Sequence, residues 1–124
     1  MSRVLIIEDD QEILGLLSRK ISDAGYEVLT AHDGEEGLKL LREENLDLIL
    51  LDITLPNIDG IELLKRKQAA PETKDIPVII ISNSGAASEI SQARHLGACD
   101  WIIKTKFSLQ ETMEKINKVI QESS

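Results

Sequence analysis

The stretch Leu48-Ile49-Leu50-Leu51-Asp52-Ile53-Thr54-Leu55-Pro56-Asn57-Ile58-Asp59-Gly60 decides the fold. Four consecutive aliphatic residues end on a carboxylate. A run this apolar fits a strand buried on both faces, the condition of strands in parallel sheets. Asp52 then stands at the carboxyl end of its strand, the edge where open α/β sheets bind ligands. Pro56 and residues 57–60 force a turn. Asp59 followed by Glu62 spells an N-cap with its capping-box acid. The stretch predicts a buried strand, an acid, a rigid loop and a helix. Taken alone, it is equally compatible with a strand that merely ends in a loop aspartate.

Working outward, the same sequence of signals recurs along the chain. Residues 4–7 are aliphatic and end at Glu8-Asp9-Asp10, a second strand with acid at its carboxyl end. Asp10 is positioned to cap a helix whose inner face carries Ile13, Leu14, Leu17 and Ile21. Gly25 can end that helix. Residues 26–30 read as a strand. Asp33 and Glu36 form a capping box ahead of Leu38, Leu40 and Leu41, with Asn45 closing the helix. After Gly60 a third helix carries Ile61, Leu63 and Leu64 and must stop before Pro71. Residues 78–81 are again a continuous aliphatic run, ended by Ser82-Asn83-Ser84-Gly85. Residues 86–96 give a helix rich in Ala and Ser, ended by Gly97. Residues 101–103 form a short strand ended by Lys104. Ser108 and Glu111 cap a last helix with Met113, Ile116, Val119 and Ile120 on its inner face.

Strand followed by helix, five times over with short connections, implies a parallel sheet with helices on both faces. The fold class expected is α/β: a doubly wound, flavodoxin-like (βα)5 domain with strand order 2-1-3-4-5. Right-handed crossovers and the reversal of strand order open a crevice between the first and third strands.

Composition sets outer bounds. A chain of 124 residues suggests one domain spanning 1–124. Aromatic content of 2% leaves the core to Leu, Ile, Val and Ala. A formal net charge of −8 argues against direct binding to nucleic acid or to an anionic membrane, and suits a protein that collects cations. The single cysteine, Cys99, cannot form an intrachain disulfide, and its place near a strand start suggests a small buried group. The first apolar run is too short for a signal peptide or a membrane span, so the cytoplasm is expected. No repeat, low-complexity segment or linker is visible. His32 and His95 are expected on the surface away from the carboxyl edge. Lys65-Arg66-Lys67 is expected on a solvated helix face. Gly34, Gly37 and Gly60 do not make a nucleotide-binding loop.

Four of the five strands deliver a polar residue to the carboxyl edge: Glu8, Asp9 and Asp10, then Asp52, Ser82 and Lys104. Carboxylates converging from adjacent strands repel, and a hard divalent cation such as Mg²⁺ removes the conflict. A nearby lysine and hydroxyl suit a phosphoryl group. Together they describe a carboxylate that accepts phosphate with metal help.

The residues that carry this pattern are Glu8-Asp9 in VLIIEDD, Asp52 in LILLDITLPNIDG, Ser82 in VIIISNSG and Lys104 in GACDWIIK. With them in this order and at these spacings, the whole chain resembles the CheY-like receiver domains of two-component response regulators. The resemblance implies that Asp52 accepts a phosphoryl group from a sensor histidine kinase or a phosphotransfer protein. It implies Mg²⁺ bound by Asp9 and Asp52, by Glu8 through water and by the backbone carbonyl of Thr54. Ser82 would bind a phosphoryl oxygen and Lys104 would pair with it. Ser82 and Trp101 would act as switch residues. The surface of residues 86–96, 101–103 and 108–120 would be read by a downstream protein. The domain would be a monomer, or a dimer that forms on phosphorylation, and either stand-alone or part of a longer protein. Departures stand out at three places: after Lys104, at Asn83 and at Trp101. Thr105 follows Lys104 where the family has proline after a cis peptide, so a trans bond is expected, because a non-proline cis bond costs about 2.5–4 kcal/mol. The loop to Phe107-Ser108 is a residue longer. Asn83 is bulkier than the usual residue after Ser82, and Trp101 than the usual Tyr or Phe.

Two rival classes share parts of the pattern. A small Mg²⁺-dependent aspartyl phosphatase of the haloacid-dehalogenase type also has a nucleophilic aspartate after an aliphatic strand, but it needs an acid/base aspartate where this chain has Thr54. A flavodoxin-like electron carrier needs a hydroxyl- and glycine-rich phosphate loop after the first strand, where Glu8-Asp9-Asp10 would repel the phosphate.

Overall fold

The computed structural model describes residues 2–83, 85–106 and 108–123. Its elements alternate as the sequence predicts: β1 (Arg3–Ile7), α1 (Gln11–Asp23), β2 (Glu27–Ala31), α2 (Gly34–Glu43), β3 (Leu48–Asp52), α3 (Gly60–Ala69), β4 (Val78–Ser82), α4 (Ala87–His95), β5 (Ala98–Ile103) and α5 (Leu109–Ser123). A single 3₁₀ turn, Lys104–Lys106, follows β5. The five strands form one parallel sheet in the order β2-β1-β3-β4-β5. The aliphatic run of β3 lies in the middle of that order and every one of its residues is buried.

Alternation along the strands divides the core into two layers. Leu5, Ile7, Ile49, Leu51, Val78 and Ile80 pack with Leu38 and Leu41 of α2, Leu63 and Leu64 of α3 and Ala93 of α4. Val4, Ile6, Leu48, Leu50, Ile79 and Ile81 pack with Leu14, Leu17 and Ile21 of α1 and with Met113, Ile116 and Val119 of α5. A strand covered on both faces has no polar side, which is why the sequence shows unbroken aliphatic runs instead of alternation.

The helix starts follow their signals. Asp10 accepts from the backbone N–H of Glu12 and Ile13, and Asp33 from that of Glu36. Asp59 accepts from the N–H of Glu62, and Ser108 Oγ from that of Glu111. Each cap satisfies backbone donors that have no partner within the helix. β5 begins three residues earlier than expected, because Ala98 and Asp100 extend its pairing with β4 on either side of an irregularity at Cys99. No cis peptide bond occurs among the described residues, so Lys104–Thr105 is trans as expected. Ser84 and Phe107, which the sequence assigns to loops, lie outside the described residues.

Three expectations need correction. Lys67 is not on a solvated face: it is 1% exposed, and its ammonium donates to the Lys74 carbonyl at 2.8 Å and to Gln68 Oε1 at 2.9 Å. Burial pushes its pKa down, with Cys99 and Asp75 opposing. Its place in the basic run Lys65-Arg66-Lys67 hides this, because the segment after α3 folds back over the helix end, where Thr73 Oγ1 also donates to the Lys67 carbonyl. Cys99 is exposed, since its strand lies at the edge of the sheet. His32 is on the surface, but it directly follows β2 and so stands at the carboxyl edge, with Nδ1 3.0 Å from Gln11 Nε2.

Candidate functional site

Strand register sets the site. Ile7 pairs with Leu51, and Asp52 with Ile81, so Glu8 and Asp52 leave neighbouring strands at nearly the same height. Ser82, buried at the end of β4, lies one residue beyond the partner of Asp52 and pairs with Ile103, the residue before Lys104. Crossovers from four strands thus bring distant residues to one edge.

Lys104 is the centre of the cluster. Its Nζ lies 2.6 Å from Glu8 Oε1 and 3.1 Å from Asp52 Oδ2. The side chains of Glu8 and Asp52 are 0% and 3% exposed, and that of Lys104 is 11%. Asp52 Oδ1 accepts the Thr54 backbone N–H at 3.0 Å. Glu8 Oε2 is buried with no donor among the described residues. Buried carboxylate oxygens rarely go unpaired. Asp9 is exposed, yet its carboxylate and those of Glu8 and Asp52 each offer an oxygen within 4.8 Å of the others.

The electrostatics follow from this geometry. Burial is the main cause that raises the Glu8 pKa, from 4.5 to about 8, and the neighbouring Asp52 carboxylate adds to it against the opposing Lys104. For Lys104 burial works to lower the pKa, but hydrogen bonding and charge attraction from Glu8 and Asp52 outweigh it, and the net shift is upward. Two buried carboxylates therefore share one ammonium in a poorly hydrated place, with the exposed Asp9 carboxylate beside them. The deficit of positive charge can be met by a proton on Glu8 or by a cation. The donor set fits Mg²⁺, which takes oxygen ligands from one or two carboxylates and retains waters. Glu8, Asp9, Asp52 and Lys104 are thus brought together as the sequence predicts. Thr54 enters through its amide. Trp101 does not enter the cluster. It is half-buried on β5, pairs with Ile80 and packs against the α2–α4 layer. Its backbone N–H donates to Asp100 Oδ1, and its carbonyl accepts from Lys115 Nζ.

Sequence reasoning assigned Lys104 to the phosphoryl group and missed that it holds Glu8 more closely than Asp52. The available signal was charge: buried acids at one edge need a cation even before any ligand arrives.

Residues 4–117 match the family model for the response regulator receiver domain. The chain belongs to that family. It is 34% identical over 123 residues to the transcriptional regulatory protein CpxR of Escherichia coli strain K12, covering 99% of this chain and 51% of CpxR. The chain spans about half the length of the curated relatives it matches. A CheY-like receiver domain from Methanospirillum hungatei JF-1 superposes with a TM-score of 0.91 at 28% identity, covering 99% of this chain and 96% of that one. The response regulator TrrA of Thermotoga maritima, solved in complex with Mg²⁺ and BeF, superposes at 0.84 with 31% identity, covering 96% and 99% of the two chains. The receiver is a signalling domain, and the family favours this reading over the phosphatase. No helix among the described residues is long and apolar enough to cross a membrane.

The Glu8 geometry gives a pH dependence. Native Glu8 keeps its proton up to about pH 8, whereas its reference value is 4.5. Between these values the native state binds more protons than the unfolded state. Its contribution is therefore fully present below the unfolded value and lost as pH rises through the native one. Metal-free protein should lose stability from pH 5 to 8 in urea titrations, and Glu8→Gln should flatten that slope. Lys104→Met leaves both buried carboxylates without their cation. It should cost the metal-free protein about 3–5 kcal/mol at pH 8, less at pH 6 where Glu8 is protonated, and should tighten Mg²⁺ binding measured by calorimetry.

Proposed function

We propose that residues 1–124 form a single receiver domain in which Asp52 accepts a phosphoryl group from a histidine kinase or a phosphotransfer protein. The observation that carries this reading is the convergence of Glu8, Asp9 and Asp52 at the carboxyl edge, with Lys104 held against Glu8 and Asp52. Asp52 is the nucleophile, and one of its oxygens attacks phosphorus. The new O–P bond forms as the P–N bond to the donor imidazole breaks. Asp9 and Asp52, with Glu8 through water and the Thr54 carbonyl, would hold Mg²⁺. When bound, Mg²⁺ supplies positive charge to the phosphoryl oxygens in the transition state. Lys104 serves the same oxygens and must loosen its hold on Glu8 and Asp52 to reach them. The Ser82 hydroxyl donates to a phosphoryl oxygen. Thr54 in place of an acid/base aspartate supports a signalling domain that takes part in its own phosphorylation and dephosphorylation only.

Output runs through Ser82 and Trp101. A phosphoryl group adds charge and acceptor oxygens at the edge. Ser82 turns toward them, and Trp101 moves into the space next to α4. The face formed by α4, β5 and α5 then presents a different surface to a downstream protein. The CpxR relative is named a transcriptional regulatory protein, and a transcriptional output for this protein belongs to the same proposal. The domain itself, at a net charge of −8, acts on proteins and not directly on nucleic acid. It works in the cytoplasm, as a monomer or a phosphorylation-dependent dimer.

Two measurements test the reading. Acetyl phosphate with Mg²⁺ should label Asp52 alone, and peptide mapping should find no label in Asp52→Asn. Retained label in that variant rejects the acceptor. Trp101 is the only tryptophan, so its fluorescence reports this region alone. Beryllofluoride with Mg²⁺ should change its emission, with the change lost in Asp52→Asn and reduced in Ser82→Ala. Constant emission alongside demonstrated beryllofluoride binding would mean that Trp101 only fills space.

A further inference from the structure

The segment between β3 and α3 is pinned on two flanks. At one flank Gly60 lies against the start of the segment: its N–H donates to the Ile53 carbonyl at 2.9 Å, and a Cβ there would stand 2.6 Å from Ile53 Cα and 2.9 Å from the Asp52 carbonyl oxygen. At the other flank residues 57 and 58 rest on the first turn of α2. Asn57 has φ 68°, the one positive value at a non-glycine among the described residues, and its Nδ2 lies 3.4 Å from Asp33 Oδ2. Ile58 covers Gly34 so closely that a Cβ on Gly34 would stand 2.1 Å from the Ile58 carbonyl oxygen, 2.8 Å from Ile58 Cβ and 3.0 Å from Ile58 carbonyl carbon. Between the two pins lies Thr54, whose N–H donates to Asp52.

We infer, on the reading that Mg²⁺ binds beside Asp52, that Gly34 is a positioning residue for the metal-binding loop. Gly34 is buried at the first helical position of α2, where alanine is otherwise a better helix former. What excludes a side chain there is the backbone of Ile58, which cannot rotate away as a flexible side chain can. An added methyl group must push residues 57 and 58 outward. Gly60 blocks compensation at the other end, so the displacement reaches Ile53 and Thr54, and with them the hydrogen bond to Asp52 and the Thr54 carbonyl. The absence of one carbon on α2 thereby sets the position of a ligand on a different strand's loop.

The test titrates Mg²⁺ alone into wild type and Gly34→Ala and follows the Thr54 amide resonance in metal-free protein. Gly34→Ala should remain folded, bind Mg²⁺ about tenfold or more weakly, the usual loss when a group that holds a ligand from behind is changed, and show a displaced Thr54 amide. Gly15→Ala, where a Cβ meets nothing within 4 Å, should change neither. A folded Gly34→Ala with wild-type Mg²⁺ affinity overturns the inference, since a merely structural glycine would lower only the melting temperature. If Gly34→Ala does not fold, Asn57→Gly decides. That variant releases the loop from Asp33 without adding an atom and keeps the positive φ accessible. Weakened Mg²⁺ binding supports the positioning role, and wild-type binding overturns it. If wild type itself binds no Mg²⁺, the metal reading is what fails. The Thr54 amide then decides alone: displacement in Gly34→Ala, or in Asn57→Gly where the first does not fold, supports the role, and an unmoved amide overturns it.

Discussion

Two carboxylates held out of water against one ammonium are the constraint from which the site's behaviour follows. Glu8 and Asp52 come from neighbouring strands, and Lys104 reaches both from the far edge strand. Taken singly, each charge is unfavourable in such a place. Together they are tolerable but unbalanced, and Glu8 Oε2 records the imbalance as a buried oxygen with no donor among the described residues. A site in this condition responds to protons and to cations because each relieves the same repulsion. Its readiness to change is a property of the resting protein.

The sheet makes this arrangement possible. Strands covered on both faces can end abruptly in charge only where the helical layers stop, which is the carboxyl edge. The two layers of aliphatic packing fix strand register, since a slip of one residue would send every side chain to the opposite face. Register in turn fixes the height at which Glu8, Asp52 and Ser82 emerge. The many buried leucines and isoleucines far from the edge therefore act on the chemistry through geometry.

Much of this was legible in residue types. Unbroken aliphatic runs announced a buried parallel sheet, and Asp10, Asp33, Asp59 and Ser108 announced four helix starts, because both signals are local. Convergence at the edge was legible once the topology was granted, since five strand–helix units leave few arrangements. What escaped notice depends on contacts between segments remote in sequence. Lys67 looked like part of a basic surface run until the chain after α3 closed over it. Cys99 looked internal because it precedes an apolar strand, although the expected order 2-1-3-4-5 already puts that strand at the edge, where one face of its start stays open. For Gly34 the sequence shows only that it belongs to no nucleotide-binding loop, and the approach of Ile58 is what explains why no side chain is present there. The preference of Lys104 for Glu8 belongs to the same class of distance-dependent fact.

The edge strand β5 has one consequence of a different kind. Trp101 packs with the α2–α4 layer and its neighbour Ile102 with the α1–α5 layer, so one strand seams the two halves of the core. The α4–β5–α5 face draws one helix from each half. A partner that grips this face holds both halves at once, across the seam. If phosphorylation alters affinity there, thermodynamic reciprocity requires the bound partner to alter the energetics of phosphorylation by the same factor. The listener then conditions the speaker: the pool of unmodified protein already engaged with its target differs in readiness from the free pool, and signal strength comes to depend on target abundance as well as on the phosphate donor.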